Sequence, residues 1–265
     1  MTPFVPDFLA TALTPERWPT FALVTARIGG LMLTAPGWNG TELPRLVRTA
    51  LTVVLAALLL PSAPVAKLPE QVLDIPLPMA AEMAIGLVIG LVAAVLVQAV
   101  ALAGEVMSMQ MGLSIAPSYS PIPELQVSGI GPLCTMLTLL IYFGVGGHLM
   151  LLRGLADSLQ ALPPGQGIVF GAGEKVSIEL AGRIFSCAIS AAAPVMVALL
   201  LTNVALGILS RAVPQLNAMT VSFPLSIGVG LLMFSVSLPI VASVITGWIS
   251  DMPESVHGLI THLQP

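Results

Sequence analysis

Charge is scarce in this chain. Only 8% of its 265 residues are Asp, Glu, Lys or Arg, against about 25% in an ordinary soluble domain. A water-facing surface cannot be built from so few charges, so most of the surface must meet lipid or other protein. The nine basic residues are scattered and the net charge is −4. With no basic stripe and no aromatic–basic cluster, no nucleic acid is expected among its partners. Cysteine is almost missing too. Cys134 and Cys187 both lie in apolar runs, where thiols behave as small hydrophobes, and neither has a histidine close enough in sequence to suggest a metal site.

The residue patterns of membrane-embedded enzymes are also lacking. No H-E-x-x-H occurs, so a zinc protease of that type is excluded. An intramembrane serine protease would want G-x-S-G, but Gln126 opens "QVSG" around Ser128. On one continuous helix His148 would stand about five turns beyond that serine, out of hydrogen-bond reach. No catalytic residue, cofactor or metal is assigned. A basic n-region is absent from "MTPFVPDFLATALTPERW", and Pro3, Pro6 and Pro15 interrupt it, so no cleavable signal peptide is expected there.

What the chain has instead is apolar length. Hydrophobic residues make up 56% of it, and the mean hydropathy is +0.99. Uncharged runs cover residues 28–41, 49–66, 83–104, 125–152, 184–210 and 212–250, and a span needs roughly 20 apolar residues. Six helical segments are expected, the first near 18–35 and the last broken by proline. Each must be helical, because backbone groups in hydrocarbon have to be satisfied within the segment. Strands of a membrane barrel would alternate in polarity, and these runs do not. The expectation is an all-α membrane protein of about six long helices, several kinked by Pro132, Pro194, Pro224 and Pro239. Basic residues near segment ends divide five to three between the two sides, which sets no orientation.

Three features stand out as candidates for function. Arg27, Glu82, Glu105 and Arg211 fall in or beside apolar segments, where ionisable groups are costly; all but Arg27 lie near segment ends, where a long side chain can reach the interface. A self-contained secondary transporter would line a path with Arg27, Glu105 and His148, although so few titratable groups make a pump a poor fit. Gly86, Gly90 and Ala94 recur every four residues, the spacing that lets helix backbones approach closely. The third feature is "GEVMSMQMGLSIAPSYSPIPE", residues 104–124, where Met107, Met109 and Met111 precede a charge-poor Gly/Ser/Pro stretch. Those methionines either pack between helices or form a compliant seal.

Near the C-terminus, "LLLTNVALGILSRAVPQLNAMTVSFPLSIGVGLLMF" (199–234) reads as a helical hairpin, with Asn203 expected to be buried in the first arm, Arg211 at its C-terminal end and "VPQLN" as the turn. This string closely resembles the FliR family of flagellar biosynthesis proteins, called SctT in injectisomes, at Asn203, Leu206, Gly207, Arg211, Pro214, Gln215, Asn217, Phe223 and Pro224. Three more stretches resemble the family in order: "ARIGGLMLTAPGWNGTELPRLVRTALTVVLAALLLP" with Arg27, Pro36, Pro44 and Arg48; "GEVMSMQMGLSIAPSYSP"; and "GGHLMLLRGLADSL".

The resemblance implies a non-enzymatic export-gate subunit of a type III secretion system, flagellar by preference and injectisome as the alternative. Residues 1–180 would be a FliP-like part and 181–265 a FliQ-like hairpin and tail, together one FliR-type domain. Its implied partners are FliP-like and FliQ-like subunits forming a helical cone, a FlhB-like switch protein at the cytoplasmic mouth, a FlhA-like export protein, unfolded flagellar substrates and membrane lipid. The implied location is the bacterial inner membrane, multi-pass, at the flagellar basal body, with energy supplied elsewhere in the machine. A plug would run from about Met109 to Pro123, with Met107, Met109, Gln110, Met111, Gly112, Ile115, Tyr119 and Pro121 as gate residues. Arg211, Pro214, Gln215 and Asn217 would form the cytoplasmic turn, and Gly86, Gly90, Asn203 and Gly207 would pack helices. Family members often carry phenylalanines just after Gly112; this chain has Ile115 and Ala116 there.

Overall fold

The computed structural model describes residues 14–38, 43–66, 75–113, 129–166, 173–213 and 218–263. Its elements, after a 3-10 turn at Pro15–Arg17, are the helices α1 (Trp18–Thr34), α2 (Arg45–Leu59), α3 (Pro76–Gln110), α4 (Gly131–Gly144), α5 (Gly147–Ala161), α6 (Gly173–Ala212), α7 (Ala218–Ser250) and α8 (Met252–Leu263). No strand occurs among the described residues. The fold is all-α.

Four stretches are long and apolar enough to cross a membrane, and α4 with α5 make a fifth as a pair bent by 63°. α1 has 17 residues and falls just short of a span. The uncharged run 125–152 is therefore not one helix. It breaks at Val145–Gly146, where Gly146 takes φ 82°, a left-handed conformation that a residue with a Cβ adopts only with strain. His148 lies beyond that break, in α5, and Ser128 is outside the described residues. The expected break in the last segment, by contrast, does not fall at its prolines: α7 runs through Pro224 and Pro239 without interruption. Pro132 sits in the first turn of α4, where its missing N–H would have had no partner in any case, so it starts a helix rather than kinking one.

The chain divides into two compact units: Met1–Ala94 with Gly146–Leu180 and Ile249–Pro265, and Val95–Val145 with Ala181–Trp248. α3 contributes to both. These are units of contact. Residues 95–145 cluster with 181–248, and the tail 249–265 clusters with the first unit.

In the first unit α1 packs against α2, and α5 against α8. The buried positions of α1 (Thr20, Leu23, Val24, Arg27, Ile28 and Leu31) follow the helical period. α3 faces α1 across glycines. A Cβ on Gly86 would overlap the carbonyl oxygen of Arg27, and one on Gly30 would overlap that of Met83. One on Gly90 would overlap the Thr34 hydroxyl, which donates a 3.0 Å hydrogen bond to the Leu87 carbonyl.

Candidate functional site

Two constellations stand out among the described residues, one in each unit. The first is built on Arg27, which is fully buried together with Glu82. Arg27 Nε donates to Glu82 Oε2 at 2.5 Å. Its Nη1 donates to the Ser158 carbonyl at 2.8 Å and to Ser158 Oγ at 3.2 Å, and its Nη2 to the Leu162 carbonyl at 2.9 Å. Glu82 Oε1 accepts the Gly165 N–H at 3.0 Å. One guanidinium and one carboxylate thus tie α1, α3, the end of α5 and the turn after it. Neither charge is left unmatched, which is the condition for a buried pair to be tolerated. Glu82 is therefore not a surface-reaching group near a segment end: its charge is neutralised inside the protein by Arg27.

The second constellation is the C-terminal end of α3 with its neighbours in the second unit. Gly104 approaches α4 so closely that an added Cβ would lie 2.7 Å from the Gly131 Cα and 3.0 Å from Cys134 Sγ. Glu105 rests its carboxylate against Gly131, at the start of α4, where the helix dipole favours an anion. Ser108 is buried; its hydroxyl donates to the Gly104 carbonyl at 2.8 Å and accepts the Ile130 N–H at 2.6 Å. Met107 and Met111 are 1% and 0% exposed, whereas Met109 is 67% exposed. Gly112 ends the helix with φ 79°, its N–H donating to the Met109 carbonyl at 3.0 Å. A Cβ there would stand 2.7 Å from Phe223 Cε1 on α7. Reciprocally, a Cβ on Gly230 of α7 would stand 2.6 Å from Met111 Cγ and 2.8 Å from its Sδ.

A sequence profile described as "Bacterial export proteins, family 1" matches residues 18–252. The chain is 31% identical over 250 residues to the flagellar biosynthetic protein FliR of Bacillus subtilis (strain 168), covering 92% of this chain and 96% of that one. The chain belongs to the FliR family of bacterial export proteins. It is 29% identical over 256 residues to the FliR of Escherichia coli (strain K12), covering 95% and 98% of the two chains. With the FliR of Caulobacter vibrioides the identity is 29% over 227 residues, covering 85% and 90%. Membership, with several helices apolar enough to span, makes it an integral membrane protein of bacterial export that serves flagellum biogenesis.

The family's G-E-x-x-x-x-Q-M-G segment corresponds to Gly104–Gly112, and nearly every motif residue has a contact to explain it. Gly104, Glu105 and Met111 pack or place charge, and Gly112 turns the chain; Met109 and Gln110 are exposed. Ile115, Tyr119 and Pro121 lie outside the described residues, as do Pro214, Gln215 and Asn217. Arg211 is exposed in the last turn of α6. Gly86 and Gly90 face α1 as described. Asn203 is exposed, not buried within this chain, and Gly207 is exposed with open space around it. Sequence reasoning missed Glu82 as the partner of Arg27, Ser108 as the acceptor for Ile130, and Gly230. The signal for the first was a lone arginine inside an apolar helix, which needs a buried acid somewhere.

Proposed function

We propose that the chain is a core export-gate subunit of the flagellar type III secretion apparatus. With FliP-like and FliQ-like subunits it forms the entry channel for unfolded flagellar substrates, in the inner membrane at the basal body. A FlhB-like switch protein sits at the cytoplasmic mouth near Arg211 and Gln215, and a FlhA-like export protein belongs to the same apparatus. The segment from Met109 to about Pro123 is its plug. The reading assigns no catalytic step.

The observation that supports it, beside family membership, is how little of the C-terminal hairpin its own chain covers. In its most apolar stretch α3 is 61% buried, α6 only 33%, and the stretch containing α7 only 22%. Phe185, Ile189, Val197, Leu200, Leu201 and Ile208 are all exposed along α6. A helix that is apolar all round needs lipid or other helices on every side, and Asn203 on such a face needs a hydrogen-bonding partner from outside the chain. A self-contained transporter path through Arg27 has less support, because that guanidinium is already committed to Glu82, Ser158 and Leu162.

Three measurements test the reading. Purification of the tagged chain from membranes should co-isolate FliP-like and FliQ-like subunits; recovery of a stable, active chain without them would refute it. Removing residues 114–123 should leave that complex intact and make the membrane leak ions, while an unchanged conductance would remove the plug assignment. Cysteines placed at Arg211 and Gln215 should cross-link to the FlhB-like protein, and consistent failure would overturn the placement of the turn.

A further inference from the structure

The end of α3 meets α7 through two reciprocal contacts. At one level the glycine is on α3 and the large side chain on α7: Gly112 lies under the Phe223 ring, with a would-be Cβ 2.7 and 2.8 Å from two ring carbons. At the next level the roles invert, and Gly230 of α7 makes the room that Met111 fills. Phe223 and Gly230 are seven residues apart, about two helical turns, and so share one face of α7. Met111 is fully buried, so its thioether cannot swing out of the way. One turn earlier on the same helix end, Ser108 receives the Ile130 N–H and Gly129 abuts the Ser108 side chain. The residues on either side of 114–128 are thus both anchored, one to α7 and one to α3.

α7 lacks a backbone hydrogen bond beside this contact. Pro224 lies inside the helix, next to Phe223; it has no N–H to donate to the carbonyl four residues earlier, so that turn lacks one hydrogen bond. A displacement of the N-terminal part of α7 therefore carries the Phe223 ring with it at low cost, while Gly230 lies beyond the weak turn.

We propose that Phe223 and Gly230 are positioning residues that seat the end of α3, so that this end is released only when the N-terminal turns of α7 move. The coupling rests on the gate reading above: the hairpin that other subunits touch controls the residue from which the plug segment departs. Phe223 touches no substrate in this scheme. It acts through Gly112.

The test uses the intact gate complex in membranes. Phe223→Ala should leave co-purification with the partner subunits unchanged. It should raise amide exchange of residues 107–113 about tenfold and raise ion leak, with exchange in residues 83–100 unaltered. Gly230→Ala alone should do the same by forcing Met111 out, and adding Met111→Ala should return exchange and leak toward the parent. That sign reversal is one that general damage to the fold does not produce. If Phe223→Ala prevents assembly, the Gly230→Ala and Met111→Ala pair carries the decision. A leak on removal of 114–123 but none from Phe223→Ala or Gly230→Ala overturns the seat and leaves the gate reading standing. No leak from any of these variants overturns both. Raised exchange without leak, while the deletion leaks, refutes the coupling even though the contact is real.

Discussion

The Arg27–Glu82 cluster and the Met111–Gly112 seat hold helices together by opposite means. In the first, two buried charges make one hydrogen bond to each other and four to three further residues, and removing either partner strands a charge where no water can reach it. In the second, glycine, methionine and phenylalanine meet by shape alone, and no hydrogen bond joins α3 to α7 in the contacts described. Shape contacts in an apolar setting are individually weak and yield gradually; a charge cluster holds until it breaks altogether. A region that must stay in register is served by the first arrangement and a region that must move by the second.

The largest effect should come from breaking the charge cluster. Glu82→Ala or Arg27→Ala leaves a buried unpaired charge, and we expect a loss of about 3–5 kcal/mol, read as a fall in the thermal midpoint of the detergent-solubilised complex and in membrane accumulation. A loss below about 1 kcal/mol would mean that the pair is not what holds the first unit. Gly86→Ala places a methyl group on the Arg27 carbonyl, a backbone atom that cannot rotate aside; about 1–3 kcal/mol of destabilisation should follow in the same thermal measurement. In the second unit Ser108→Ala removes the acceptor of the buried Ile130 N–H. We expect about 1–3 kcal/mol, together with faster amide exchange at Ile130 and its neighbours. Equal losses at Ser108 and Glu82 would erase the contrast between the two regions. Asn203→Ala should be smallest for the chain itself, within about 0.5 kcal/mol, because the residue is exposed. It should nevertheless reduce recovery of partner subunits, and an undiminished yield would indicate that this face meets lipid.

Much of the fold was legible from composition. So few charges and such long uncharged runs require helices in or against a membrane, and α1, α3 and α6 fall close to where the runs place them. The break between α4 and α5 was not legible, because an apolar helix and a bent apolar pair have the same composition; the difference is the φ of Gly146. Pro224 and Pro239 argued for a broken last segment, yet α7 runs through both in one piece; a proline removes one backbone hydrogen bond without ending a helix whose neighbouring turns stay bonded. For the candidate site, the motif Gly104–Gly112 was visible as residues, but not what they touch. A methionine in a helix carries the same letter whether buried like Met111 or exposed like Met109.

By itself, then, the sequence determined the class of molecule: an apolar, all-α chain whose hairpin and Q-M-G segment place it in an export family. Those properties are sums over many residues or local strings, and both can be read in one dimension. Tertiary structure decided which residues act on each other. That Arg27 finds Glu82 55 positions away, and that Gly112 meets Phe223 rather than open space, depends on how helices are brought side by side. Helical periodicity sets the face a residue occupies, and packing alone sets what that face meets.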